Sequence, residues 1–272
     1  MGRVEKGSVE QRIRSCLNNA IHRSLQGRDK RSSRAWLKAL SGISAVEYLY
    51  GSLDREDGLA PFLDRCVEHF GYLDARAPAS ARLISPQGPL LAVANHPTGL
   101  LDGIVALHLL SRVRHDIAVL ANNYLAAFPV FAPLLIPVDP LRPNRALLQV
   151  ARMLARDKAV LAFPAGTVAH FQPRYWCRTD APWEPSLFKL ACQLQVPVLP
   201  LHINLQMPLR YAIPCALSRS ARTVLLPRVC LGMQIQHPPI EVGPLLTPDL
   251  GQDRVLLKAR GFAVNKTRTV AK

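Results

Sequence analysis

The sequence predicts an α/β fold: a mixed, mostly parallel sheet flanked by helices, with a helical extension before it. Three observations carry this. Short apolar runs bounded by turn residues alternate with helix-like stretches between about residues 90 and 203. Such alternation places helices on both faces of one sheet. An apolar fraction of 49% over 272 residues is enough for a sizeable core. The expected division is a basic helical extension over 1–80, an α/β domain over 81–250 and a basic tail over 251–272.

Residues 1–34 carry nine Lys and Arg against three acids. Weak helical spacing of Ile13, Leu17, Ile21 and Leu25 allows either a helix or a disordered basic arm. From Arg34 the pattern sharpens. Trp36, Leu37, Leu40, Ile43, Val46, Leu49 and Tyr50 fall on one helical face, with Ser33 as N-cap and Gly51 as stop. That face over 34–50 either packs on the main domain or lies in a membrane interface. Phe62–Phe70 is another short helix, and the Ala/Pro-rich 74–80 a linker.

Within the main domain, Leu90–Ala94 is a continuous apolar run and reads as a buried strand. Leu101–Val113 is a helix with Ile104, Leu107 and Leu110 on its apolar side. Asp116–Ala121 is a strand, and three prolines break the uncharged stretch 124–138 before a strand at Leu134–Val138. Asn144–Arg156 is an amphipathic helix. Ala159–Phe163 is a strand and Glu184–Gln195 a helix. Pro197 and Pro200 make Val196–Ile203 an edge strand or a strand end. Met233–Val242 is a last, weak strand, and the tail from Asp253 is a basic helix or a frayed end.

A net charge of +15 suits an anionic partner. The basic residues are dispersed and no helix-turn-helix, finger or aromatic-basic motif accompanies them, so nucleic acid is not expected. The six cysteines form no C-x-x-C pair, there is no apolar leader, and no run reaches the length of a membrane span. These point to a cytoplasmic protein. G-x-S-x-G, Walker and G-x-G-x-x-G sequences are absent, and His96 and His108 lack a third ligand for zinc.

In α/β sheets, sites form where strands end and helices begin. One such junction is Ala94-Asn-His-Pro-Thr-Gly-Leu-Leu-Asp102. His96 there is either a general base whose orienting partner is Asp102, or the polar residue of a capped turn. Asn95 either caps the turn or lines the site. Asn122 and Asn123 stand where a helix would be capped. The second junction is Phe163-Pro-Ala-Gly-Thr-Val168, where Gly166 lets backbone approach a ligand and nearby amides face developing negative charge.

The run LLAVANHPTGLLDG resembles the first conserved block of the glycerolipid and lysophospholipid acyltransferases. It is most similar to the bacterial hemolysin-like, ornithine-lipid-type branch, whose block reads N-H-P-x-G-x-L-D-G. ANNYLAAFPVFAPLLIPVD, AVLAFPAGTVA and VPVLPLHI resemble the second, third and fourth blocks, in order, over Pro89 to Ile203. The resemblance implies a membrane-surface enzyme on the inner face of the cytoplasmic membrane. It would move a fatty acyl group from acyl carrier protein or coenzyme A to a lysolipid hydroxyl. It implies His96 as base, Asp102 as its orienting partner and no cofactor beyond the thioester donor. It places Asn95, Gly99, Pro164, Gly166 and Thr167 at the substrate. The family pattern has Glu where Ala165 stands, the branch often has Glu at Thr167, and the second block ends in Arg where this chain has Pro140. Arg142 and Arg145, just beyond, would then meet a phosphate. The alternative is a lipid- or carrier-binding protein of the same fold that has lost turnover. His170, Trp176 and Trp183 either close over the acyl chain or cover the core.

Overall fold

The computed structural model describes residues 43–53, 57–72, 79–139, 141–172, 177–206, 228, 231–235 and 239–265. The basic arm, the first part of the 34–50 helix, most of the 74–80 linker, Pro140, Trp176 and the end of the tail lie outside them.

The elements, in chain order, are α1 (Ile43–Leu53), α2 (Leu59–His69), β1 (Leu90–Ala94), α3 (Leu100–Ser111), β2 (Ile117–Asn122), β3 (Leu135–Val138), α4 (Pro143–Leu154), β4 (Ala159–Ala162), β5 (His170–Gln172), β6 (Cys177–Thr179), α5 (Ser186–Gln193), β7 (Val198–Ile203), β8 (Ile240–Val242) and α6 (Gln252–Asn265). Six strands form one sheet in the order β3-β2-β4-β1-β7-β8. Every pairing in it is parallel except β7 with β8, so the sheet is mixed and mostly parallel. β5 and β6 make a separate antiparallel hairpin.

β1 lies inside the sheet and is buried on both faces, which is why its sequence is continuously apolar. Leu90, Ala92 and Ala94 point into a core shared with α2 and α3. Leu91 and Val93 point into a second core closed by α4, α5 and α6. The strand period of two thus divides one short run between two cores. α2, expected within the extension, buries Phe62, Leu63, Cys66 and Val67 in the first core. α6, expected in the tail, buries Val255, Ala259 and Ala263 in the second.

Three local expectations are corrected. Gly51 does not stop α1, which runs on to Leu53. Tyr50 packs its ring against Phe62 and Phe128, at 5.3 and 5.0 Å between centroids, so this end of the helix is held by the domain. Of the strand expected over Met233–Val242, the described residues form strand at Ile240–Val242 and none at Met233–Ile235. β7 is an inner strand despite its prolines. Pro200 stands one position past the last regular β7–β8 pair, Leu201 with Val242, and its carbonyl accepts the Gly243 N–H at 2.8 Å. A Cβ on Gly243 would stand 2.8 Å from Pro200 Cγ and 2.9 Å from Phe262 Cδ1, so only glycine lets that chain approach the proline ring. No helix among the described residues is long and apolar enough to cross a membrane.

Arg114 ties the opposite edge of the sheet, where strands begin. Its side chain is fully buried and bonds Asp116 through two nitrogens at 2.8 and 2.6 Å. The same guanidinium donates to the carbonyls of Ser85, Gly88 and Asp157 at 3.1, 2.8 and 2.9 Å. Gly88, Asp116 and Asp157 stand just before β1, β2 and β4, so one planar fork gathers the starts of three strands. Hydrogen bonding from Arg114 holds the Asp116 carboxyl below its usual range.

Arg114→Met leaves those carbonyls and a carboxylate without their donor. Its expected cost in urea unfolding is about 3–5 kcal/mol, with little recovery from Arg114→Lys, because an ammonium cannot fork. The Asp116 contribution is complete at neutral pH, above the unfolded carboxylate value. It is lost as pH falls through the depressed folded value, and Arg114→Met should lack that acid-side loss.

Candidate active site

β1 and β4 are neighbours in the sheet, yet the chain leaves them toward opposite faces, through α3 and through the hairpin and α5. Their C-terminal ends therefore mark a topological switch point, where such sheets usually offer a ligand a crevice. Asn95 and His96 follow β1 there, and Phe163 follows β4.

The turn after β1 is built around one carboxylate. Asp102 is the third residue of α3 and is completely buried. Its Oδ2 accepts the backbone N–H groups of Thr98 and Gly99, each at 2.8 Å, and its Oδ1 accepts the Thr98 hydroxyl. This is the reach-back of an N3 acid to the N-cap that starts a helix. Gly99, at φ 98°, takes the backbone conformation the turn needs and that side chains disfavour.

Asp102 Oδ2 also lies 2.8 Å from His96 Nδ1. A carboxylate already accepting N–H donors is an acceptor, so Nδ1 carries a ring proton, and in the neutral imidazole the lone pair is on Nε2. His96 stacks on Phe163 at 4.5 Å between centroids and 28° between planes. Its side chain is 19% exposed against 0% for Asp102. A buried carboxylate thus orients an imidazole that still reaches the solvent side. The capped-turn and the general-base readings describe the same atoms.

The remaining sequence-predicted residues divide. Asn95 spends its amide on β7, donating to the Ile203 carbonyl at 3.0 Å and accepting the Ile203 N–H at 2.6 Å. It staples the ends of two strands instead of lining the crevice or capping the turn. Pro164 is buried, and its carbonyl accepts the Glu184 N–H at 2.9 Å. Gly166, at φ 64°, and Thr167 are both exposed. The Gly166 N–H closes its own turn on the Phe163 carbonyl at 2.9 Å, so that amide does not face a ligand as expected. Asn122 ends β2 and Asn123 opens a short 3-10 turn, both exposed.

Arg142 and Arg145 are exposed at the start of α4, beyond the end of β3. β3 is three strands from β1, roughly 14 Å across the sheet, and the pair lies beyond its end. They share the edge with the dyad without touching it. Trp183 covers the core: it is 4% exposed and stacks on Phe188. The side chains of His170 and Trp176 lie outside the described residues.

Sequence reasoning missed Thr98, Phe163 and Asp180. Thr98 had a local signal, its position within the cap. Asp180 had none, since it meets His96 across 84 residues of chain.

Thr98→Val keeps the shape of the side chain and removes its hydroxyl. The unpaired Oδ1 of Asp102 should then lower stability by about 1–3 kcal/mol in urea unfolding.

No curated protein matches the chain. Among solved structures, the chain is similar to the crystal structure of the 1-acyl-sn-glycerophosphate (LPA) acyltransferase, PlsC, from Thermotoga maritima. Identity is 14% and the TM-score 0.47, with 97% of this chain and 95% of that one covered. Residues 78–204, which run from before β1 through the end of β7 and include His96, Asp102 and the loop after β4, match the family model Acyltransferase.

Proposed function

We propose that the chain is a lipid acyltransferase of the hemolysin-like, ornithine-lipid-type branch. It would work at a membrane surface and move a fatty acyl group from acyl carrier protein or coenzyme A to a lysolipid hydroxyl. The observation that carries the reading is the His96–Asp102 pair at the open end of β1, inside the segment that matches Acyltransferase. The net charge of +15 supports an anionic membrane surface and an acidic carrier as partners.

In this reading Nε2 of His96 takes the proton of the lysolipid hydroxyl as its oxygen attacks the thioester carbonyl. The C–O bond forms, the C–S bond breaks, and the imidazolium returns the proton to the departing sulfur. Asp102 holds the ring in the productive tautomer and stabilises the imidazolium. Because the Gly166 N–H is already committed, the acyl oxygen would be met by the Thr167 part of the loop. Arg142 and Arg145 would hold an anionic head group along the same edge. No cofactor enters this scheme.

His96→Ala should lower transfer from acyl carrier protein or acyl-coenzyme A to lysolipid by about two to four orders of magnitude, with the fold intact by circular dichroism. Full transfer in that variant would sink the mechanism. A second reading, binding without turnover, rests on Ala165, buried where the family pattern has Glu. It predicts lysolipid binding by the wild type with no acylated product across a panel of acceptors. Asp102→Asn should also lower kcat, since a neutral amide removes the charge that stabilises the imidazolium.

A further inference from the structure

We propose that Asp180 is a positioning residue of this site: with Ala169 it forms the base of the β5–β6 hairpin, and the two hold the main chain of His96 from both sides. The inference rests on the catalytic reading of His96. The pair at the open end of the hairpin is His170 with Thr179. Ala169 and Asp180 are the next residues outward on its two arms. The Ala169 N–H donates to the His96 carbonyl at 2.7 Å. The His96 N–H donates to Asp180 Oδ1 at 3.2 Å. The histidine peptide is therefore gripped through both of its polar groups by one supersecondary unit.

The grip has an anchor. Asp180 Oδ2 accepts the Trp183 indole N–H at 3.0 Å. The Trp183 ring stacks on Phe188 of α5, 6.0 Å away and 17° from parallel. The line runs from α5 through Trp183 and Asp180 to His96. Asp180 is only 3% exposed. Burial pushes its carboxyl above the usual range, while the Trp183 and His96 N–H groups oppose that rise. An apolar residue would cover this spot at less cost, but only a carboxylate accepts from both donors at once.

The ring of His96 inherits its place from that main chain. A small rotation of the His96 peptide swings Nδ1 away from Asp102, and displacements near 1 Å are costly for catalysis. Asn at position 180 offers one acceptor oxygen, and its NH2 would oppose one of the two N–H donors. Neither Asp180 nor Trp183 need touch substrate for this role.

The test compares full-chain wild type, Asp180→Asn and Trp183→Phe. One readout is steady-state acyl transfer. The other is the 15N signals of the His96 imidazole without substrate, assigned against His96→Ala. Asp180→Asn should lose about 10- to 100-fold in kcat with KM within about twofold, and the Nδ1–H signature of the ring should weaken. Trp183→Phe, which keeps an aromatic ring beside Phe188 and removes the indole N–H, should show both effects to a smaller degree. Wild-type kcat and unchanged ring signals in folded Asp180→Asn would overturn the proposal. If that variant does not fold, the same result in Trp183→Phe would overturn it. A wild type that transfers no acyl group counts against the catalytic reading alone, because the ring signals still report whether Asp180 sets His96.

Discussion

The burial of the Asp102 carboxylate is the constraint on which the rest of the site depends. A carboxylate removed from water is tolerated only when its lone pairs are met by donors. Here they are met by two backbone N–H groups, a threonine hydroxyl and the His96 ring. Those donors come from a four-residue stretch of chain, His96 to Gly99, so satisfying the charge also determines the turn. The same bonds that start α3 hold the imidazole in one tautomer. Removing the acid would therefore undo a helix start and an oriented imidazole together.

The sheet makes that turn a site. β1 lies inside the sheet, with its alternate side chains divided between two cores. Its end is accordingly rigid, and the neighbouring end of β4 supplies Phe163 as a flat surface for the histidine ring. Asn95 ties the same end to β7 through a two-way amide bond. At the other edge, Arg114 gathers the strand starts. One edge of the sheet spends its buried polar groups on holding strands together. The other spends them both on that, through Asn95, and on aiming a side chain.

How much of this could be read beforehand follows from how local each interaction is. The strands β1 and β4 and the helices α3 and α4 announced themselves by period and length, because their own side chains meet the core. For β7 the prolines leave an edge strand and a strand end both open, because proline reports only the missing N–H of its own residue. Whether a partner strand needs that N–H depends on where β8 leaves the ladder and on Gly243, some forty residues away. Asp102 was legible as a partner of His96, since cap geometry is set within one turn. Asn95 was ambiguous, because its partner Ile203 lies 108 residues on.

The sequence by itself determined the α/β class, the position of the crevice-forming junctions and the His96–Asp102 pair. These depend on hydrophobic period, on turn residues and on hydrogen bonds spanning six residues or fewer. Only the tertiary structure decided that Asn95 is a staple, that the Gly166 amide is already committed, that Arg142 and Arg145 stand apart from the dyad, and that Asp180 meets the histidine backbone. Each of these is a contact between segments brought together by strand order. No spacing along the chain encodes such a contact, because the core that creates it forms only when all the strands are in place.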